Sequence, residues 1–233
     1  MTAMTAEIHV LSAGAIEPGL VAAAEAFQEQ GGAEVRITWA TTPVIQRRIG
    51  GGEAADVVIA TREAIDELAR DKKVDGKASV DLGRVGIGMV VRRGAPVPDI
   101  SSVGALKYAV LDADSVVYNR ASSGLQFERI LGEMGILERT QSKTSRYANG
   151  PAMLEHLIKG KGKEIGFGAI TEILMFRDKG LMLAAPLPPE LQHFTNYVAA
   201  QMAAASKSKG AKAFVRYLGT PAARALFAAQ GIE

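Results

Sequence analysis

The sequence of 233 residues predicts an α/β fold. Short apolar strand patterns alternate with helix patterns from one end of the chain to the other. Glycine- or hydroxyl-bearing turns stand between strand and helix at several of these junctions. The composition is 48% hydrophobic and rich in Ala and Gly, with 6% aromatic residues, which suits helices packed on both faces of parallel sheets.

Ile8–Leu11 reads as the first strand, and Ser12-Ala13-Gly14-Ala15 turns into a helix with Pro18 in its opening turn, where a missing N–H costs little. Leu20, Val21, Ala24 and Phe27 give that helix an apolar face, and Gly31-Gly32 ends it. Val35–Trp39 alternates apolar and polar residues as a half-buried strand does. Thr41-Thr42-Pro43 opens a second helix with Val44, Ile45 and Ile49 on one side, stopped by Gly50–Gly52. Asp56, expected to brace that glycine loop, leads into the apolar strand Val57–Ala60. A helix over Arg62–Arg70 and a polar loop over Asp71–Asp81 follow.

Val85–Val91 reads as one strand, Ser101–Leu106 as a short helix capped by Ser101 or Ser102, and Lys107–Leu111 as the next strand. Tyr118–Gly124 is a polar loop feeding a helix over Leu125–Met134. Tyr147–Pro151 starts another helix, which ends at the basic loop Lys159–Lys163. Glu164–Phe167 is a strand and Thr171–Phe176 a short helix. Pro186, Pro188 and Pro189 mark a rigid crossing, Thr195–Met202 is the last strand, and helices over Lys209–Leu218 and Pro221–Gln230 complete the chain.

A formal net charge of +2 gives no electrostatic case for nucleic acid. No run is long and apolar enough to insert in a membrane. The start, MTAMTAEIHV, lacks a basic n-region and an apolar h-region, so the chain as written reads as cytoplasmic; it would be periplasmic if an export signal had been removed. With no cysteine, disulfides, thiol catalysis and cysteine metal sites drop out together. His9, His156 and His193 lack metal-ligand spacing. Gly86-Ile87-Gly88 and Gly166-Phe167-Gly168 lie inside strand patterns and are not dinucleotide fingerprints. The expectation is a protein with neither cofactor nor metal.

What remains is a set of helix starts: Gly14-Ala15, Thr41-Thr42 and Ser122-Ser123-Gly124. Each could simply cap its own helix. Together they suggest two similar lobes whose helix mouths hold a small anion through hydroxyls and backbone N–H groups. Arg84 and Arg120 are candidate carboxylate holders, with Arg146 a further arginine of interest. Trp39 could wall the site. Lys159–Lys163 is a solvated turn.

The segment TTPVIQRRIGGGEAADVVIATREAIDEL, with LSAGAIEPGL, SSGL, EIGFGAITE and the closing AQGIE, resembles the molybdate-binding-like branch of the type II periplasmic substrate-binding proteins. That resemblance implies two lobes around a cleft, each a parallel-dominated sheet flanked by helices, with two crossing strands as hinge near Arg84–Val91 and Thr195–Met202. The lobes would be 1–83 plus 195–233, and 84–194. It implies ligand contacts at Thr42, Ser123 and Gly150, while Ala15 and Ala169 stand where the family has a Ser and a Tyr, which enlarges the pocket there; Asn149, beside Gly150, is a further candidate ligand-binding residue. The segments GRVGIGMVVRRGAPVPDISS and PLPPELQ are similar to aconitate isomerases, which share this fold. A small anion, an organic di- or tricarboxylate or an oxyanion, is the expected ligand. A transporter or a regulatory chain is a possible macromolecular partner. Isomerase chemistry would need a base, for which Tyr118, His156 and Glu172 are the open choices.

Overall fold

The computed structural model of the protein describes residues 7–233. In chain order its first strands and helices are β1 (Ile8–Ala13), α1 (Glu17–Glu29), β2 (Val35–Ala40), α2 (Thr42–Gly50), β3 (Val57–Thr61), α3 (Arg62–Arg70) and β4 (Val80–Val85). There follow β5 (Ile87–Arg92), α4 (Val103–Asp112), β6 (Ser115–Asn119), α5 (Ser122–Glu133), α6 (Leu137–Thr140), β7 (Thr144–Tyr147) and α7 (Gly150–Lys159). The chain closes with β8 (Glu164–Ala169), α8 (Ile170–Met175), β9 (Leu181–Pro186), β10 (Thr195–Gln201), α9 (Lys209–Leu218) and α10 (Pro221–Ala229).

Two compact units result. The first runs to Arg84 and is completed by Asn196–Glu233; the second is Val85–Thr195. Each has its own sheet, ordered β2-β1-β3-β10-β4 in the first and β7-β6-β8-β5-β9 in the second. In the first, β1 lies parallel between β2 and β3, and β10 runs antiparallel beside β3. In the second, β6 lies parallel between β7 and β8, and β5 runs antiparallel to both β8 and β9. The sheets are therefore mixed, a parallel trio extended by antiparallel strands, rather than parallel throughout.

Burial explains the trios. Val57, Val58, Ile59 and Ala60 of β3 are all fully buried, as expected for a strand covered on both faces. In the second unit Phe127 of α5 stacks on Phe167 of β8 with ring centroids 3.8 Å apart, and Tyr118 meets Phe127 edge-on. These contacts fix α5 over the middle of the second sheet.

Several elements differ from the sequence expectation. Lys107–Leu111 is not a strand but part of α4, because Leu106, Ala109 and Val110 bury at helical spacing. The strand lies later, at Ser115–Asn119, and takes in the first two residues of the expected polar loop. Val85–Val91 is broken at Gly86: β4 belongs to the first sheet and β5 to the second. Leu181–Pro186 forms an edge strand before the prolines, its last residue a Pro that an edge tolerates.

Candidate functional site

In each unit the parallel trio delivers its carboxyl ends to one side of the sheet, and helices begin there. In the first unit Ala13 is level with Ala40, and Ser12 with Ile59. The turn Gly14–Ile16, the start of α2 at Thr42 and the start of α3 at Arg62 therefore share one edge. In the second, Asn119 is level with Tyr147, and Tyr118 with Phe167, so α5, α7 and α8 begin together at Ser122, Gly150 and Ile170. Carboxyl ends of parallel strands are where α/β proteins seat ligands.

Capping separates these helices into two kinds. Thr61, Ser102, Asn149, Ser208 and Thr220 each accept a backbone N–H and cap α3, α4, α7, α9 and α10. At α2 and α5 no side chain caps. Thr41 precedes α2 without a side-chain bond to it, and Thr42 is buried with its Oγ1 lacking any hydrogen-bond partner among the described residues. Ser122 and Ser123 occupy the first turn of α5 behind an Ala121 cap, Ser122 half-buried and Ser123 buried. The capping explanation thus fails at the two hydroxyl pairs and holds at Thr61, Ser102, Asn149, Ser208 and Thr220; α1, α6 and α8 also begin without a side-chain cap, behind Ile16, Ile136 and Ala169. A buried hydroxyl with no partner costs about 1–3 kcal/mol, a cost that a ligand oxygen would relieve.

The remaining sequence candidates fall as follows. Gly14 starts a short 3-10 turn and Ala15 within it is buried. Gly124 is pressed against β6: a Cβ there would lie 1.8 Å from the Asn119 carbonyl oxygen. Asn149 caps α7 through Ala152 N–H at 2.9 Å. Gly150 is covered by the carboxylate of Glu172, which would sit 2.2 Å from a Cβ at that position. Ala169 is buried at the end of β8, directly before α8. Arg120 donates its backbone N–H to Tyr147 O at 2.8 Å, and its side chain is exposed beside the α5 mouth. Arg84 pairs with Glu233 at 3.0 Å while their backbones exchange two hydrogen bonds, an arrangement that ties the C-terminus to β4. Arg146 is held by Glu128 at 2.7 and 3.0 Å.

The base candidates also separate. His156 Nε2 donates to the Glu164 carboxylate at 2.9 Å, and Glu164 also pairs with Arg92 at 3.3 Å. Glu164 begins β8, so this cluster lies about 17 Å along the strand from Ala169. Burial, reinforced by the nearby Glu128 charge, pushes the Tyr118 phenol up to about 12, so it is protonated at neutral pH. Glu172 is buried at the α7 and α8 mouths. His9 is satisfied by Thr38 Oγ1 at 3.0 Å and Ala54 O at 3.2 Å, and Asp56 Oδ2 accepts the His9 backbone N–H at 2.9 Å. Asp56 therefore braces β1 as well as the loop before β3. Among the described residues no group of three His, Cys, Asp or Glu could hold a metal ion.

Sequence reasoning passed over Asn119. It is fully buried at the end of β6, and its Oδ1 accepts the Ala121 N–H at 2.9 Å. The signal was present: an Asn two residues before the cap position, here Ala121, forms this local turn.

Two α/β units, each a mixed sheet flanked by helices, have the fold of the two-lobed type II periplasmic binding proteins. The chain belongs to the bacterial extracellular solute-binding protein family, whose profile matches residues 8–233. It is 30% identical over 216 residues to an aconitate isomerase from Pseudomonas sp., covering 91% of this chain and 81% of that protein. Its fold is similar to the periplasmic molybdate-binding protein of Azotobacter vinelandii, with a TM-score of 0.77, 17% identity, and 97% and 98% of the two chains covered. It is also similar to the sulfate-binding protein SubI of Mycobacterium tuberculosis, with a TM-score of 0.76, 21% identity, and 97% and 86% covered.

Proposed function

We propose that the protein binds a small anion, an organic di- or tricarboxylate or an oxyanion, with donors from its helix mouths. The observation that carries this reading is the hydroxyl of Thr42, buried at the start of α2 and without a partner among the described residues. Helix starts carry free N–H groups and a positive dipole end, so they hold anions without a formal positive charge. The Ser122-Ser123 pair offers the same chemistry in the second lobe. Ala15 and Ala169 carry smaller side chains than the Ser and Tyr that the family resemblance puts there, which supports a ligand larger than a tetrahedral oxyanion and so the carboxylates. In this reading the protein works in the periplasm and hands its ligand to a membrane transporter. Titration calorimetry with molybdate, sulfate, citrate and trans-aconitate tests it. Saturable heat from at least one is expected, and silence from all four overturns it.

A second reading, an isomerase interconverting trans- and cis-aconitate, draws on the aconitate isomerase relative. The reaction removes a proton from the carbon beside the alkene and returns one to the far alkene carbon, moving the double bond. Of the three base candidates Glu172 suits this best, since Tyr118 holds its proton and His156 is engaged with Glu164 at the opposite end of β8. Loss of trans-aconitate absorbance on adding enzyme is the expected sign. Binding without turnover would decide for the first reading.

A further inference from the structure

We infer that Asn119 is a ligand-binding residue of the second lobe, its Nδ2 amide donating to an oxygen of the bound anion. The inference rests on the anion-binding reading above and adds to it a donor that neither the family match nor the sequence motifs single out.

The position is the first argument. Asn119 ends β6, the middle strand of the trio β7-β6-β8, and the helices following those three strands start around it at Ser122, Gly150 and Ile170. The amide is the second. Its Oδ1 is spent on the Ala121 N–H, which fixes which end of the group is which. The Nδ2 end is buried and has no hydrogen-bond partner among the described residues. Gly168 of β8 presents no side chain to it: a Cβ there would stand 3.8 Å from Nδ2 and 3.1 Å from Met153 Cε, the side chain of α7 that packs at that point.

The choice of residue is the third argument. An aspartate would hold the Ala121 N–H equally well and would suit a helix start better electrostatically. Asparagine keeps that acceptor and adds a donor in place of a negative charge, which is what an incoming anion requires. Three buried side-chain atoms lack partners among the described residues: Thr42 Oγ1, Asn119 Nδ2 and Tyr217 Oη. Tyr217 packs on Phe27 from α9. The other two share one structural place, the step from a parallel strand into a helix that no side chain caps.

The test is Asn119→Asp, which retains the acceptor and removes the donor. Calorimetry is run on wild type and variant with molybdate, sulfate, citrate and trans-aconitate, beside thermal melts without anion. At least a tenfold loss of affinity is expected for whichever anion the wild type binds, with the anion-free melt cooperative in both. Equal affinity in the variant overturns the role of Asn119 and leaves the anion reading standing. A wild type that binds none of the four overturns both. Should the variant not fold, the side-chain amide resonance of Asn119 in the wild type decides: it shifts on adding the bound anion, and an unmoved resonance overturns the inference.

Discussion

Gly124 and Asn119 are in direct backbone contact: a Cβ on Gly124 would come within 1.8 Å of the Asn119 carbonyl oxygen and 2.6 Å of its carbon. The first turn of α5 is thus seated on the end of β6, and the absence of a side chain at 124 sets how far Ser122 and Ser123 reach over that strand.

Gly124→Ala should therefore destabilise the protein. Helix propensity alone favours Ala over Gly by about 1 kcal/mol, but the obstacle here is backbone and cannot step aside. Overpacking of this kind costs about 1–3 kcal/mol, so against the propensity gain the net loss should reach up to about 2 kcal/mol in denaturant unfolding. Gly132 provides the control: it lies in the same helix, and a Cβ there would meet nothing within 4 Å. Gly132→Ala should stabilise by about 0.5–1 kcal/mol.

Thr42→Val tests the hydroxyl without changing the shape of the residue. Because Oγ1 has no partner among the described residues, unfolding without ligand should be unchanged or up to about 1 kcal/mol more costly. Anion affinity should fall about tenfold or more, since a hydrogen bond to a charged acceptor is worth about 1.5–3 kcal/mol. Thr61→Val is the contrast. Thr61 accepts the Ala64 N–H, so that variant should lose about 0.5–2 kcal/mol of stability and keep its affinity.

The two threonines also show what the sequence could and could not reveal. Thr41-Thr42 before Pro43 marked a helix start correctly, and α3, α9 and the first strands were legible because their apolar spacing and flanking Gly, Pro and Thr agree. Whether a start hydroxyl caps its helix or faces away from it depends on side-chain direction, which no local pattern encodes. Thr61 and Thr42 therefore look alike until they are folded. The errors cluster in the second lobe for a related reason. Lys107–Leu111 carries strand-like apolar residues, yet burial of Leu106, Ala109 and Val110 on one helical face wins. Val116 and Val117 form a strand only because β7 and β8 flank them. The pairing of Arg84 with Glu233 was not legible because Glu233 lies 149 positions away in sequence.

Tyr118 makes a prediction in pH. Burial, then the Glu128 charge, raises its phenol from 10.0 to about 12. The fold favours the neutral form, so this contribution is complete below pH 10 and is lost as pH rises through about 12. Denaturant unfolding at steps between pH 9 and 12 should show wild type losing stability relative to Tyr118→Phe across that window. Absorbance of phenolate near the top of the range should show a late tyrosine step that is lost in the variant. A difference between the two proteins that stays flat from pH 9 to 12 would refute the assignment.

Glu164 provides the converse case, a buried charge that serves the fold alone. It is 6% exposed, accepts from Arg92 at 3.3 Å, and lies 2.9 Å from His156 Nε2. Gly160 closes over the cluster, with a Cβ there only 1.8 Å from Glu164 Oε2. Glu164→Gln removes the charge but keeps one acceptor, leaving the Arg92 guanidinium without its counter-ion in a poorly solvated place. The expected cost is about 1–3 kcal/mol of unfolding free energy. Because the cluster sits at the amino end of β8 and the helix mouths at its carboxyl end, anion affinity should stay within about twofold of wild type, well inside the factor of ten that 1.4 kcal/mol represents. His156→Gln should likewise leave both affinity and any trans-aconitate turnover in place. Loss of turnover in that variant, with its fold intact by thermal melt, would return His156 to the list of bases and displace Glu172.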